Sequence, residues 1–153
     1  MRRILFVSHC PSEHTITLRE SVLRAIGELD LENVEVISRA PLDTGADDVL
    51  ACEGIIIGTT ENFGSMAGLT KDFFERIYYA CLERSQGLPI CLYIRAGEDG
   101  RGTRTSIAKI TTGLRWQLIA EPLILRGAYA SEFEGQVAEL GMTMAAGLDA
   151  EVF

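Results

Sequence analysis

The sequence predicts a doubly wound α/β fold: a five-stranded parallel sheet of order 2-1-3-4-5, covered by helices on both faces in three layers. Three observations predict it. Short, continuously apolar runs alternate with longer stretches whose apolar residues recur every three or four positions. Uninterrupted apolar runs are what strands become when helices bury both faces of a parallel sheet. The 153 residues, 47% apolar and 24% charged, suit one domain over residues 1–153 with a substantial core.

Each element follows in chain order. Arg3-Ile-Leu-Phe-Val-Ser8 is the first strand, and Leu18, Val22, Ala25, Ile26 and Leu29 form a helical stripe after it. Val34-Glu-Val-Ile37 is a weaker strand, placed nearer an edge, and a short helix is expected near Asp47–Leu50. Gly54-Ile-Ile-Ile-Gly58 is a buried strand, followed by a looser stripe at Met66, Phe73, Ile77 and Cys81. Ile90-Cys-Leu-Tyr-Ile94 precedes a stripe at Ile107, Ile110, Leu114 and Leu118. Leu123-Ile-Leu125 is the last strand. Phe133, Val137, Leu140 and Met144 make the last helix, with Ser131 and Glu134 spaced as a capping box. The stripes are core contacts and carry no chemistry.

Composition narrows the function. Fourteen basic against 22 acidic residues give a net charge of −8, which argues against binding a phosphate backbone. It fits a soluble protein whose partners could be cationic. The N-terminal apolar run is too short for a signal-peptide core or a membrane span, so a cytosolic protein is expected. Cys10, Cys52, Cys81 and Cys91 form no C-x-x-C pair, and with only His9 and His14 beside them no zinc-ligand spacing exists.

In a doubly wound sheet, ligands bind at the carboxyl ends of the strands, near the switch between the first and third. Three polar segments lie there: Ser8–Thr15, Thr59–Met66 and Arg95–Gly102. Each reads as longer than the roughly two to six residues usual for a strand-to-helix connection. Ser12 and Thr15 place hydroxyls at a helix start, where free N–H groups and the helix dipole favour an anion such as a phosphate. The same hydroxyls suit a plain helix cap, so this loop alone leaves both roles open. G-x-x-x-x-G-K-[ST] and G-x-G-x-x-G are both missing. A Cys-x5-Arg phosphatase loop starting at Cys10 would need Arg where Ile16 stands; the first arginine is Arg19, so the bidentate phosphoryl clamp is missing. A receiver domain would need an aspartate where Ser8 or Gly58 stands.

Gly58-Thr-Thr-Glu-Asn-Phe-Gly-Ser-Met-Ala-Gly68 closely resembles the Gly-Thr-Pro-Thr-Arg-Phe-Gly-Asn-Met-Ala-Gly loop of the tryptophan-repressor-binding-protein-like quinone reductases, FMN enzymes of the flavodoxin-like superfamily. Seven of eleven positions are identical: Gly58, Thr59, Phe63, Gly64, Met66, Ala67 and Gly68. The first loop aligns as well, with Cys10-Pro-Ser-Glu-His-Thr15 where family members read Ser-Met-Tyr-Gly-His-Ile. The resemblance implies a flavodoxin-like sandwich and an FMN-dependent electron carrier or oxidoreductase, with NAD(P)H or a redox protein as partner. It implies cofactor contacts from Cys10, Ser12, His14 and Thr15 in the first loop. The second loop would contribute Thr59, Thr60, Glu61, Asn62, Phe63 and Gly64, and the third Ala96, Gly97, Asp99 and Gly100. The phosphate would sit at the start of the first helix and the ring between the second and third loops, with Phe63 as an apolar contact. No residue is assigned as catalytic acid or base. Relatives with the Met-Ala-Gly loop often assemble, which leaves a homo-oligomer open.

The chain also departs from that pattern. Thr60-Glu61-Asn62 replace Pro-Thr-Arg, Glu13 replaces Gly, and Pro11 removes an N–H donor. The third loop carries no aromatic, and the long insertion of the quinone reductases is missing. These departures motivate a second expectation: a flavodoxin-fold binding or regulatory module that holds no flavin.

Overall fold

The computed structural model describes residues 1–153. Strand β1 (Arg2–Ser8) leads to helix α1 (Glu13–Glu28), β2 (Val34–Arg39), a 3-10 turn at Pro41–Asp43 and the short helix α2 (Ala46–Leu50). Strand β3 (Gly54–Asn62) is followed by β4 (Ser65–Met66), α3 (Gly68–Cys81), β5 (Pro89–Ala96) and α4 (Arg101–Leu114). Two short strands, β6 (Gln117–Leu118) and β7 (Leu123–Arg126), precede the C-terminal helix α5 (Glu132–Asp149).

The apolar strands sort their side chains by simple alternation. Ile4, Phe6 and Ile56 point to one face and pack with Leu18 and Val22 of α1 and Val137, Leu140 and Met144 of α5. Leu5, Val7, Ile55 and Ile57 point to the other and pack with Phe73, Phe74 and Ile77 of α3 and Ile107 and Leu114 of α4. One continuous apolar run therefore feeds two cores, and each fully buried Ile or Phe contributes about 1.5–3 kcal/mol. Parallel pairing sets Ile4 beside Val36 and Gly54, and Ile55 beside Ile90, in the order β2-β1-β3-β5. β2 is the edge strand expected from its weaker pattern.

The fifth position differs from the expected single strand. β6 pairs with the start of β5 (Pro89–Ile90), and β7 pairs with its end (Tyr93–Ala96). The strand is broken between them over residues 119–122, where Pro122 has no N–H to give to a ladder. Leu118, expected on the stripe of α4, lies in β6 and is exposed. The helix stops earlier because Arg115 adopts a left-handed conformation (φ 60°), which turns Trp116 inward to donate its indole N–H to Ser85 Oγ at 2.9 Å. Met66, expected on the α3 stripe, lies in β4. The capping box at Ser131 does not form: Ser131 is itself helical, and Glu134 instead accepts from Tyr129 Oη at 2.9 Å.

The three loops at the carboxyl edge are shorter than expected. Residues 9–12 connect β1 to α1, and residues 97–100 connect β5 to α4. The second is a hairpin, because β3 runs on to Asn62 and folds back on β4 through Phe63 and Gly64. Both turn residues have positive φ (54° and 78°), the signature of a primed two-residue turn.

Gly58, in the middle of β3, has a packing reason. A Cβ there would overlap the ring of Tyr93 on the neighbouring strand, which is 3% exposed and fills the space beside Phe6. Gly58→Ala is expected to lower unfolding free energy by about 1–3 kcal/mol through overpacking, read from the denaturant midpoint at unchanged slope.

Candidate functional site

β1 and β5 flank β3 and end beside its second half, so the segments that follow the three strands meet at one edge. His9 N–H donates to the Gly58 carbonyl at 2.9 Å, tying the first loop to the middle of β3. Burial holds the His9 imidazole below its ordinary pKa. The first loop then closes a reciprocal cap on α1. Ser12 Oγ accepts from the Thr15 amide at 3.3 Å, and Thr15 Oγ1 accepts from the Ser12 amide at 3.0 Å. Thr15 is buried and donates its hydroxyl to the Ser12 carbonyl at 2.8 Å. Cys10 is half-buried, its Sγ 3.5 Å from the Thr15 carbonyl oxygen and 3.6 Å from Ser8 Oγ. This cap consumes the amides of Ser12 and Thr15. Those of Cys10, Glu13 and His14 make no hydrogen bond within the protein and sit at the positive end of a 16-residue helix.

In the second loop, Thr59 does not reach the edge. It is buried, sharing a 2.8 Å hydrogen bond with Thr70 Oγ1 of α3. Thr60 is buried against its own hairpin, donating to Asn62 Oδ1 at 3.2 Å. Phe63 stands fully exposed at the tip. In the third loop, the Ala96 side chain is part of the core below α3 and α4. Gly97 and Asp99 are exposed, and Asp99 Oδ1 accepts the Arg101 amide at 3.1 Å.

Glu61 joins these two loops. Its Oε1 accepts the Gly100 amide at 3.3 Å, and its Oε2 accepts the Thr103 hydroxyl at 3.2 Å. Gly100 caps α4 in a left-handed conformation (φ 70°), so its N–H and the first turn of the helix face the carboxylate. Beside this clasp the Gly64 carbonyl lies against Gly102 so closely that a Cβ on Gly102 would overlap it. The loops that the resemblance places on either side of a ring are in contact with each other.

A fourth group joins His14 and Arg95, of the first and third segments, to the loop that follows β7. His14 stacks face to face on Tyr129, ring centroids 3.8 Å apart and planes 8° apart. The Arg95 guanidinium lies 5.9 Å from the Tyr129 ring and 5.3 Å from that of Phe133, and donates to the Leu125 carbonyl at 3.1 Å. Burial, the hydrogen bond to Glu134 and that residue's charge push the Tyr129 phenol up to about 12, and Arg95 offsets part of this. The sequence reading missed Tyr129, Arg95, Gly102 and Thr103. The signal for Tyr129 was its place after β7, in a fourth loop at the same sheet edge.

No protein-family model matches the chain, and no curated protein matches it. Solved structures do. The structure of a flavodoxin from the domain Archaea superposes with a TM-score of 0.78 at 17% identity, covering 94% of this chain and 96% of that one. The fold is flavodoxin-like. Two-electron reduced Megasphaera elsdenii flavodoxin gives 0.76 at 16% identity, over 94% of this chain and 98% of its own. A WrbA-like flavodoxin protein from Agrobacterium tumefaciens gives 0.74 at 13% identity, over 99% of both chains. No helix is long and apolar enough to cross a membrane.

Two expectations follow from the geometry. Glu61→Ala leaves the Gly100 amide and the Thr103 hydroxyl without their charged partner and is expected to cost about 1 kcal/mol, read from urea unfolding. His9 binds its proton more weakly folded than unfolded. Stability from this group is therefore present above the unfolded pKa and lost as pH falls below about 6.5 toward the lower folded value. His9→Asn should flatten the rise in unfolding free energy between about pH 5 and 7.

Proposed function

We propose that the chain is an FMN-holding flavodoxin-type electron carrier, or an NAD(P)H-dependent oxidoreductase of that type. The observation that carries this reading is the set of unpaired amides of Cys10, Glu13 and His14 at the start of α1, on the edge of a flavodoxin-like sheet where ligands collect. Backbone donors at a helix N-terminus suit a phosphate dianion, and the reciprocal Ser12–Thr15 cap makes their direction rigid before any ligand arrives. The residues fit the phosphate end of FMN. At the ring end the second and third loops touch, so the fit requires them to part.

FMN, when held, supplies the redox chemistry, and the protein supplies position and electrostatics. The amides of Cys10, Glu13 and His14 are proposed for the phosphate end, with Ser12 and Thr15 forming the cap that orients them. Thr60, Glu61, Asn62, Phe63 and Gly64 are proposed for one wall of the ring end, with Gly97, Asp99 and Gly100 for the other. Thr59 and Ala96 would act through their backbone alone, since their side chains are buried. Glu13 is exposed and can turn its carboxylate away from a neighbouring anion.

A second reading, a flavodoxin-fold module that holds no flavin, is favoured by one observation: the Glu61 carboxylate already occupies a donor of the third loop and one of the first turn of α4. Titration of the purified protein with FMN, followed by flavin fluorescence, separates the two. Saturable quenching that Thr15→Ala and Phe63→Ala each weaken about tenfold is the outcome expected of the FMN reading. A colourless protein that ignores added FMN supports the module. Quenching that neither substitution alters would mean that the flavin sits elsewhere.

A further inference from the structure

The Glu61 carboxylate presents two acceptor oxygens in one plane and places each on a different donor, the Gly100 amide of the third loop and the Thr103 hydroxyl in the first turn of α4. Thr103 has no exposed surface, so its hydroxyl depends on this partner. These are donors that the polar edge of a flat heteroaromatic ring would need. A ring slotted between the two loops also needs about 7 Å between their surfaces, two contacts of about 3.5 Å each. The seating of the Gly64 carbonyl on Gly102 leaves no such gap.

The clasp is built on a part of the hairpin that can move. Glu61 itself pairs with the core residue Met66, and beyond it the strand pairing is one residue pair long, Asn62 with Ser65. Asn62, Phe63 and Gly64 are all exposed, and Phe63 is held at a φ of 54°, a left-handed conformation unfavourable for an aromatic residue. Little buried surface opposes lifting this tip, so its opening belongs to the low-energy end of local motions.

We propose that Glu61 is an intramolecular latch on the ring end of the crevice. Its carboxylate stands in for the ring's polar edge at Gly100 and Thr103, and it must swing out before the hairpin and the start of α4 part to take a planar ring. The proposal rests on the FMN reading. The latch makes that crevice closed at rest and lowers apparent affinity by the fraction of time it is shut.

The test has a flavin-free arm and a flavin arm, each with wild type, Glu61→Ala and Gly102→Ala. Hydrogen exchange at the Gly100 amide in the flavin-free protein should quicken about tenfold in Glu61→Ala. It should also quicken in Gly102→Ala, where the new Cβ wedges the hairpin off while Glu61 is intact. In titrations, Glu61→Ala should bind FMN about tenfold more tightly than wild type, and riboflavin by the same factor, because the latch acts on the ring. A gain with FMN but not riboflavin would assign the effect to charge repulsion of the phosphate and overturn the latch. So would unchanged exchange at Gly100 in Glu61→Ala, or weaker flavin binding by that variant. Faster exchange with neither flavin bound by any of the three proteins would overturn the FMN reading, and the latch's role toward a ring with it.

Discussion

The parallel pairing of β1, β3 and β5 is the constraint on which the rest of the molecule depends. These strands are buried on both faces, so their register is locked by two cores at once: a slip of one residue would send Ile55 and Ile57 to the face that holds Ile56. With the register locked, β1 and β5 end against the second half of β3, and the three segments that follow these strands must share one edge. The closeness of His9 to Gly58, and of Glu61 to Gly100, follows from strand pairing before any loop contact is made.

The two helix starts at that edge satisfy their free donors in different ways. α1 is capped from within four residues, by Ser12 and Thr15, and this local cap leaves neighbouring amides unpaired. α4 has glycine at its cap position and no side-chain cap of its own. Its Arg101 amide is met locally by Asp99, and its Gly100 amide from 39 residues away in sequence, by Glu61. A local cap cannot be displaced without fraying its helix, whereas a cap borrowed from a hairpin tip can leave as the tip moves. The phosphate end of the proposed site is thus preformed and the ring end is conditional. The aromatic and cationic group of His14, Tyr129, Arg95 and Phe133 adds rigidity on the α1 and α5 side, joining the last loop to the first helix.

Much of the fold was legible in the sequence because it rests on short-range patterns. Continuous apolar runs at Ile4–Val7, Ile55–Ile57 and Ile90–Ile94 leave a parallel sheet as the economical way to bury both faces. The stripes of α1 and α5 announced themselves by spacing. The misreadings came where a single residue's conformation overrode the pattern. Left-handed Arg115 ended α4 before Leu118, Pro122 divided the last strand, and Tyr129 took the Glu134 carboxylate that a capping box would have used. The polar second loop became a hairpin because Phe63 and Gly64 both accept positive φ, which no apolar period reveals.

The candidate site divides along the same line. Sequence by itself determined the strands β1, β2, β3 and β5, the helices between and after them, the placing of three polar loops at one sheet edge, and the hydroxyls at the start of α1, since each is a property of residues within a few positions of one another. Only the tertiary structure decided that Thr59 faces Thr70, that Glu61 reaches Gly100 and Thr103, that Gly64 rests on Gly102, and that His14 stacks on Tyr129. Those contacts join residues between 11 and 115 positions apart, counted from Thr59 to Thr70 and from His14 to Tyr129. Distances of that kind are set by how two cores clamp a sheet, and no local pattern encodes them.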